Sequence, residues 1–364
     1  MESDQPARAA STAGEQGPTP LVILTWFAGG IFAIALLWLL RAAYSVFLPL
    51  AIGFFLAVAV LPVKNWIVRR VPKSFGWLGY LAAAGIMIGF VALFVTGIWI
   101  AALQVAGQAG TIVPQLQQRL AETPLADLFS RSLPQGVQQF QGLLRTVLES
   151  FTGLLGTLVI VFFLMLLMLL ESRDWKEKTR SLRPDDSGRD WRSIAEAVGQ
   201  KFRRYFVTRL ALGTITGALY AAWLALFGVP LLLVWGLLAL LLNFIPTIGS
   251  LIAGALPVLF VFAQQDLTTA IIVGAGILVI EQIMGNYIDP RITGSQLALS
   301  PLVVLLSLLL WTWVWGIAGA LISTPMTMLV AIVLAHIHAT RPIALMLSEA
   351  TDMEELEKAT RPRE

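Results

Sequence analysis

The sequence predicts an all-α polytopic membrane protein with about eight membrane-embedded segments. Three observations carry this prediction: 57% of the 364 residues are apolar, only 13% are charged, and the mean hydropathy is +0.79. Soluble globular proteins average about 45–50% apolar and about 25% charged residues. Because a water-soluble fold of this length cannot bury so much apolar surface, the composition indicates an integral membrane protein.

Stretches without Asp, Glu, Lys or Arg locate the membrane spans, since a helix needs about 20 apolar residues to cross the hydrocarbon. Within 21–103 they predict transmembrane helices 1–3, and 150–170 forms transmembrane helix 4. The run 210–265 holds 56 uncharged residues and is too long for one helix. The same holds for 292–335, and prolines interrupt both runs. The predicted single spans are 21–40, 43–62, 77–101, 151–170, 206–227 and 267–288.

The distribution of Lys and Arg predicts the orientation, because short cationic loops are retained in the cytoplasm. The charged linker 171–205 holds ten basic residues, whereas 104–149 holds three in 46 residues. We therefore expect 171–205 inside and 104–149 outside. The same count places a disordered N-terminus, 1–20, and a charged tail, 336–364, in the cytoplasm. The acidic N-terminal residues do not resemble the basic start of a secretory signal.

The outer segment 104–149 has the pattern of two or three amphipathic helices. One interpretation is a gate or a cap that captures solute. The other is a packing or oligomer-contact extension of the flanking helices.

The second half of the chain contains a weak repeat, which makes 206–335 the predicted transport core. GSLIAGALP at 249–257 resembles GALISTP at 319–325, and each follows an apolar run that begins with a proline. Each unit thus consists of one crossing helix and one hairpin that is broken by proline and glycine. The two hairpins are 229–264 and 300–335. A hairpin returns to the side that it left, so the second unit is inverted relative to the first. Inverted repeats of broken helices are typical of secondary transporters, although Gly and Pro are common in membrane helices in general.

Several classes of activity are excluded by missing residues. The chain has no cysteine and two histidines, which excludes disulfides, thiol nucleophiles and thiolate metal sites. It has no Gly-Lys dipeptide for a phosphate-binding loop and no H-E-x-x-H zinc motif. The net charge of +3 is too small to indicate nucleic acid. We expect that the protein is not an enzyme and uses no cofactor. Its expected partners are the lipid bilayer and a small-molecule or ion substrate.

Glu281 is the one acidic residue well inside a predicted span. A carboxylate at that depth costs about 2.5–3.5 kcal/mol on insertion scales and indicates function. It can exchange a proton or coordinate a cation. The alternative is a structural glutamate near the helix end, partnered by Gln282 or Arg291.

The segment 243–249 is predicted to form the turn of the first hairpin. Pro246 removes a backbone donor, and Gly249 allows unusual dihedral angles. The freed carbonyls, with the side chains of Asn243 and Thr247, can bind a polar solute at membrane depth. The alternative is a tight turn without a ligand.

The segment 285–294 is predicted to leave its helix at the cytoplasmic face. It is either a helix exit and hinge or a second part of the solute pathway. Its candidate pathway residues are Asn286, Asp289, Pro290, Arg291 and Gly294.

Four motifs occur in a fixed order: N-x-I-P-x-I-G from Asn243, D-P-R-I-x-G from Asp289, S-P-L-V-V from Ser300, and G-I-x-G-x-L-x-x-x-P from Gly316. With them the chain resembles the autoinducer-2 exporter family of bacterial membrane proteins, the PerM-type permeases. The W-x-W before the last glycines is similar to the autoinducer-2 transport protein branch. The resemblance covers about 205–335.

The resemblance implies a bacterial inner-membrane exporter of about eight embedded segments that forms homo-oligomers, with a pentamer as the suggested state. The motif positions that it marks are Asn243, Pro246, Gly249, Pro290, Gly294, Pro301, Gly316, Gly319 and Pro325. The predicted function is a secondary transporter that exports a small polar solute, with the quorum-sensing signal autoinducer-2 as the first candidate. The alternatives are a sodium/proton antiporter that uses Glu281, and a non-transporting membrane scaffold that recruits partners through 171–205.

Overall fold

A computed structural model describes residues 20–72, 77–121, 142, 151–181, 191–245, 248–293 and 299–360. The chain divides into two compact units, 1–44 and 45–364. The described residues form helices, with one isolated β-bridge between Leu299 and Ser348. The prediction of an all-α protein is confirmed.

The first unit contains α1 (Pro20–Ala42). Its apolar window is Leu24–Ala42, and none of the residues in that window is buried. A helix that is apolar on every side suits a lipid environment.

The first half of the second unit consists of long helices. They are α2 (Tyr44–Val68), α3 (Trp77–Ala121), α4 (Phe151–Ser181) and α5 (Trp191–Leu226). α3 continues through the predicted boundary at 103 to Ala121. The predicted linker 171–205 contains the end of α4 and the start of α5, and its middle, 182–190, lies outside the described residues.

The second half alternates short and long helices. In order these are α6 (Leu232–Leu242), α7 (Ile248–Gln264), α8 (Leu267–Glu281), a π-helical segment (Gln282–Ile288), α9 (Asp289–Thr293), α10 (Pro301–His336), a 3₁₀ turn (His338–Thr340), α11 (Arg341–Leu347) and α12 (Met353–Thr360). The predicted charged tail therefore contains two helices, and Leu356 of α12 is buried in one core with Ile332 of α10.

Six described helices are long and apolar enough to cross a membrane, at Leu24–Ala42, Tyr44–Val68, Trp77–Gln108, Ile194–Leu226, Leu267–Ile292 and Pro301–His336. Three shorter apolar helices accompany them, at Gly156–Ser172, Leu232–Leu242 and Ile248–Gln264. This inventory confirms a polytopic membrane protein.

The first hairpin is held together by a close approach at Gly249. A Cβ atom at this position would overlap the carbonyl oxygen of Leu242, the last residue of α6. Gly249 is buried and does not have a positive φ. The prediction that Gly249 serves unusual dihedral angles is therefore wrong. The glycine is needed because the turn brings backbone against backbone with no room for a side chain.

The second hairpin also has a glycine close to a carbonyl oxygen, but its helical backbone is interrupted in a different way. A Cβ at Gly319 would overlap the carbonyl oxygen of Trp311, and Gly319 also lacks a positive φ. The backbone of α10 is non-helical at Trp315 and at Gly316, which has φ 63° and ψ −143°. The dihedral requirement thus falls on Gly316 rather than on Gly319. Whether the two units are inverted in the membrane stays a prediction.

The two hairpins meet in a small apolar cluster. Ile245, at the turn of the first hairpin, is buried with Leu308 and Ala320 of the second. The turn of the first hairpin is thereby packed at its apolar residue, which leaves the polar residues of that turn available to the site described next.

Candidate functional site

A cavity of about 300 Å³ lies between α5, the turn of the first hairpin and the π-helical segment after α8. Eight of its twelve lining residues are polar or charged, and ionisable residues within membrane-spanning helices are rare and mark functional sites. The lining residues are Arg209, Leu212, Thr216, Asn243, Ile245, Ser250, Glu281, Gln282, Met284, Gly285, Asn286 and Asp289.

One face of α5 supplies a wall of the cavity. Arg209 and Thr216 are seven residues apart, and Tyr220 follows four residues later. At 3.6 residues per turn this spacing puts all three on one side of the helix. Thr216 is 4% exposed and Tyr220 is fully buried, so this side faces protein.

Glu281 is held by Tyr220. The Tyr220 hydroxyl donates a hydrogen bond of 2.7 Å to Glu281 Oε1. The partners expected from the sequence are wrong: Gln282 accepts a hydrogen bond from Asn286, and the guanidinium of Arg291 lies 3.6 Å from the ring centroid of Tyr287. Arg291 is exposed on its own helix rather than directed at Glu281.

Asp289 forms an ion pair with Arg209. The distance between Arg209 Nη1 and Asp289 Oδ2 is 2.8 Å, and the two side chains are 15% and 23% exposed. Asp289, in the segment predicted to leave its helix, is therefore one partner of a partly buried pair at the cavity wall.

The turn of the first hairpin is tied to the same part of α5. Asn243 Nδ2 donates to the backbone carbonyl of Arg209 at 3.0 Å. The Tyr205 hydroxyl donates to the carbonyl of Phe244 at 3.3 Å. Asn243 thus positions the turn, and its amide also faces the cavity.

The π-helical segment follows from Pro290. Proline has no N–H, and its ring clashes with the carbonyl four residues earlier in an ordinary α-helix. A wider turn before the proline relieves this conflict. In agreement, the N–H of Asp289 bonds to the carbonyl of Met284, five residues earlier. Such segments occur frequently at functional sites, and this one carries four of the cavity residues.

The charges divide the cavity into two ends. Arg209 and Asp289 neutralise each other at one end. At the other end, Glu281 has a neutral donor, Tyr220, and makes no ion pair within the described part of the chain. Hydroxyl and amide groups occupy the walls between them. The arrangement can hold a small polar solute or a cation, and the described residues contain no cluster of three metal-ligating side chains.

The structure brings together only part of the predicted site. Asn243, Glu281, Asn286 and Asp289 line the cavity, and Gly249 and Pro290 are chain neighbours of the lining residues Ser250 and Asp289. The predicted residues of the second hairpin do not line it. Pro301 begins α10, Pro325 is fully buried within it, and Gly316 and Gly319 shape its break. Pro246, Thr247 and Gly294 lie outside the described residues.

Sequence reasoning missed Arg209, Thr216, Tyr220 and Ser250. Arg209 carries a signal in hindsight, because it is the last charge before 56 uncharged residues. Tyr220 and the two hydroxyl residues carry none, since nothing local distinguishes them from other residues of apolar helices.

A bundle of membrane-crossing helices that encloses a polar cavity is the architecture of a membrane transporter. The model of the AI-2E family transporter matches residues 21–339, and the chain belongs to this family. The predicted resemblance is confirmed.

Two curated relatives match nearly the whole chain. The chain is 30% identical to the AI-2 transport protein TqsA of Escherichia coli (strain K12) over 332 residues, which are 85% of this chain and 91% of that protein. It is 28% identical to a "Putative transport protein" of Haemophilus influenzae over 330 residues, 86% of this chain and 92% of that one.

Proposed function

We propose that this protein is a secondary transporter that exports a small polar solute through the cavity of Arg209, Thr216 and Glu281, with autoinducer-2 as the first candidate solute. The observation that carries the proposal is the cavity itself, about 300 Å³ between helices long enough to span a membrane and lined by Arg209, Thr216 and Glu281 among others. Polar groups at this depth are costly unless they are used. The name of the TqsA relative supports autoinducer-2 as the solute to test first.

The test is efflux from proteoliposomes loaded with a panel of small polar solutes that includes autoinducer-2. The cavity variant is Thr216→Val, which keeps the shape of the side chain and removes its hydroxyl. The matched control is Thr214→Val on the same helix, because Thr214 is exposed and its hydroxyl bonds to the carbonyl of Leu210 in its own helix. We expect Thr216→Val to slow efflux and Thr214→Val to leave it unchanged. Equal efflux rates in the two variants would show that the solute does not pass through this cavity.

A second candidate is sodium/proton antiport through Glu281. The specific observation in its favour is a carboxylate that faces the cavity with a neutral hydrogen-bond donor and hydroxyl groups nearby. Oxygen ligands of this kind suit a hard cation or a proton. An antiporter must collapse a pH gradient when sodium is added to proteoliposomes, whereas an uncoupled exporter does not. A pH-sensitive dye inside the vesicles distinguishes the two.

The proposal includes the bacterial inner membrane and a homo-oligomer, with five subunits as the first number to test. Its support is membership in the family and the exposed apolar faces of the spanning helices, such as Leu251, Ile271 and Leu309. Mass measurement of the protein in lipid discs gives the number of subunits, and a mass equal to one chain would contradict this part of the proposal.

A further inference from the structure

We propose that the ion pair between Arg209 and Asp289 is a gate that closes one end of the cavity and must open when solute passes. We refer to this pair as the ion-pair gate. The inference rests on the proposed transport function, and it adds the two residues that control access to the site.

The first argument is the position of the pair. Arg209 and Asp289 both line the cavity, and their side chains retain 15% and 23% exposure. Further along α5, Thr216 lines the cavity and is 4% exposed, and Tyr220 is fully buried beyond it. Eleven residues separate Arg209 from Tyr220 on α5, which corresponds to about 16 Å of helix. Along α5, the ion pair is therefore nearer the protein surface than Thr216 and Tyr220.

The second argument is that the pair joins parts that can separate. Asp289 begins α9, a helix of five residues that follows the π-helical segment. π-helical turns are rare, occur mostly as single-turn bulges within α-helices and are frequent at functional sites. The Asp289 carboxylate accepts a hydrogen bond from the Arg209 guanidinium and so joins α9 to α5.

The third argument is that two hydrogen bonds hold the hairpin turn to α5 without using Asp289. Asn243 bonds to the backbone carbonyl of Arg209, not to its guanidinium. Tyr205 holds the carbonyl of Phe244 one turn earlier on α5. Asp289→Asn therefore leaves both contacts in place, together with the Arg209 guanidinium that lies 5.7 Å from the ring centroid of Tyr205. The segment from Gln282 to Thr293 can then move while the opposite wall of the cavity stays fixed.

The strength of the pair also suits a gate. A fully exposed ion pair contributes little, and a deeply buried one is hard to break because each charge would lose its partner in a low dielectric. A pair with 15% and 23% exposure lies between these limits. It can hold the cavity closed and still exchange its partner for solute or water.

The chain has no cysteine, so an introduced cysteine is its only thiol. We choose Thr216→Cys as the reporter, because Thr216 lines the cavity and is shielded behind the gate. The measurement is the rate of labelling by a membrane-impermeant maleimide in lipid discs, where both membrane faces are accessible. Controls are Thr351→Cys, exposed near the C-terminus, and Ala331→Cys, buried in the separate core around α10.

We expect Asp289→Asn to raise the labelling rate at the reporter by about tenfold, as for a partly buried pair that loses one charge. The double variant Arg209→Asp with Asp289→Arg restores the pair with its charges exchanged and is expected to return the rate toward the wild-type value. Arg209→Lys keeps a charge without the planar fork and is expected to give an intermediate rate. Labelling at Thr351→Cys stays fast and at Ala331→Cys stays slow in every variant.

An unchanged rate at the reporter in Asp289→Asn would overturn the inference. So would fast labelling in the charge-exchanged double variant, because the restored pair should close the cavity. If Asp289→Asn also makes Ala331→Cys accessible to the maleimide, that variant has lost its packing. The test then depends on Arg209→Lys, and a wild-type labelling rate at Thr216→Cys in that variant would overturn the gate. Since labelling requires no solute, failure of the gate is distinguishable from failure of the proposed transport.

Discussion

At the scale of single residues, Glu281 offers two substitutions that remove different properties. Glu281→Gln removes the titratable group but keeps an oxygen that accepts the hydrogen bond from Tyr220. Tyr220→Phe keeps the carboxylate and removes the donor that lies 2.7 Å away. Together they separate a role of the charge from a role of the contact.

If Glu281 carries protons, Glu281→Gln abolishes coupling of flux to a pH gradient, and the residual flux loses its pH dependence. The measurement is solute efflux from proteoliposomes at several pH values, with wild type in parallel. Superimposable profiles would exclude antiport through this residue and leave the uncoupled exporter.

Tyr220→Phe is expected to lower stability by roughly 1.5–3 kcal/mol, the range for a hydrogen bond to a charged group. Chemical denaturation in detergent measures the change. The matched control is Tyr287→Phe, because Tyr287 is exposed on the π-helical segment and stacks with Arg291. If Tyr287→Phe lowers stability as much as Tyr220→Phe does, the Tyr220–Glu281 hydrogen bond contributes no more to stability than an exposed tyrosine hydroxyl.

The candidate residues that the sequence revealed are those that contrast with their neighbours. Glu281 and Asn243 stand out as polar groups within apolar runs, and Asp289 stands out as the start of the D-P-R-I-x-G motif. Their partners did not stand out: Tyr220 is 61 residues from Glu281 in the chain, and Arg209 is 80 residues from Asp289. A pairing over such distances depends on how α5 packs against α8, and no local pattern contains that information.

At the scale of the helical elements, the two hairpin glycines allow a direct test. Gly249→Val and Gly319→Val each place side-chain atoms where the carbonyl oxygens of Leu242 and Trp311 lie. Because backbone must move to relieve the overlap, we expect each variant to abolish flux and to cost about 1–3 kcal/mol of stability. Flux assays and thermal unfolding in detergent measure the two effects.

The control is Gly89→Val in α3, where an added Cβ has no heavy atom within 4 Å. Wild-type flux in Gly249→Val or Gly319→Val would show that the close approaches are not required for transport. Such tolerance is also what the scaffold hypothesis predicts, so this experiment bears on both.

The sequence predicted a broken second hairpin but not the position of its break. Proline and glycine placed it between Pro301 and Pro325, yet Pro325 lies inside a helical stretch and the backbone departs from helix at Trp315 and Gly316. A proline in a membrane helix is tolerated when neighbours satisfy the freed carbonyl. Proline content therefore indicates a hairpin without fixing where the chain turns.

At the scale of the whole molecule, the class of protein follows from composition, and the approximate span count follows from the charge-free stretches. The cavity does not, because it depends on contacts among α5, the hairpin turn and the π-helical segment. The orientation in the membrane is a separate prediction that rests on the charges of the loops and on the number of crossings.

We expect both termini in the cytoplasm and 104–149 outside. In intact cells a membrane-impermeant maleimide should therefore label Gln118→Cys, which is exposed on the extension of α3, and should not label Thr351→Cys until the membrane is permeabilised. Each variant carries a single thiol, since the natural chain has none. Labelling of Thr351→Cys in intact cells would place the C-terminus outside. One unit of helix and hairpin would then cross the membrane an odd number of times and the other an even number, because one hairpin would cross the membrane completely. That outcome would contradict the inverted repeat.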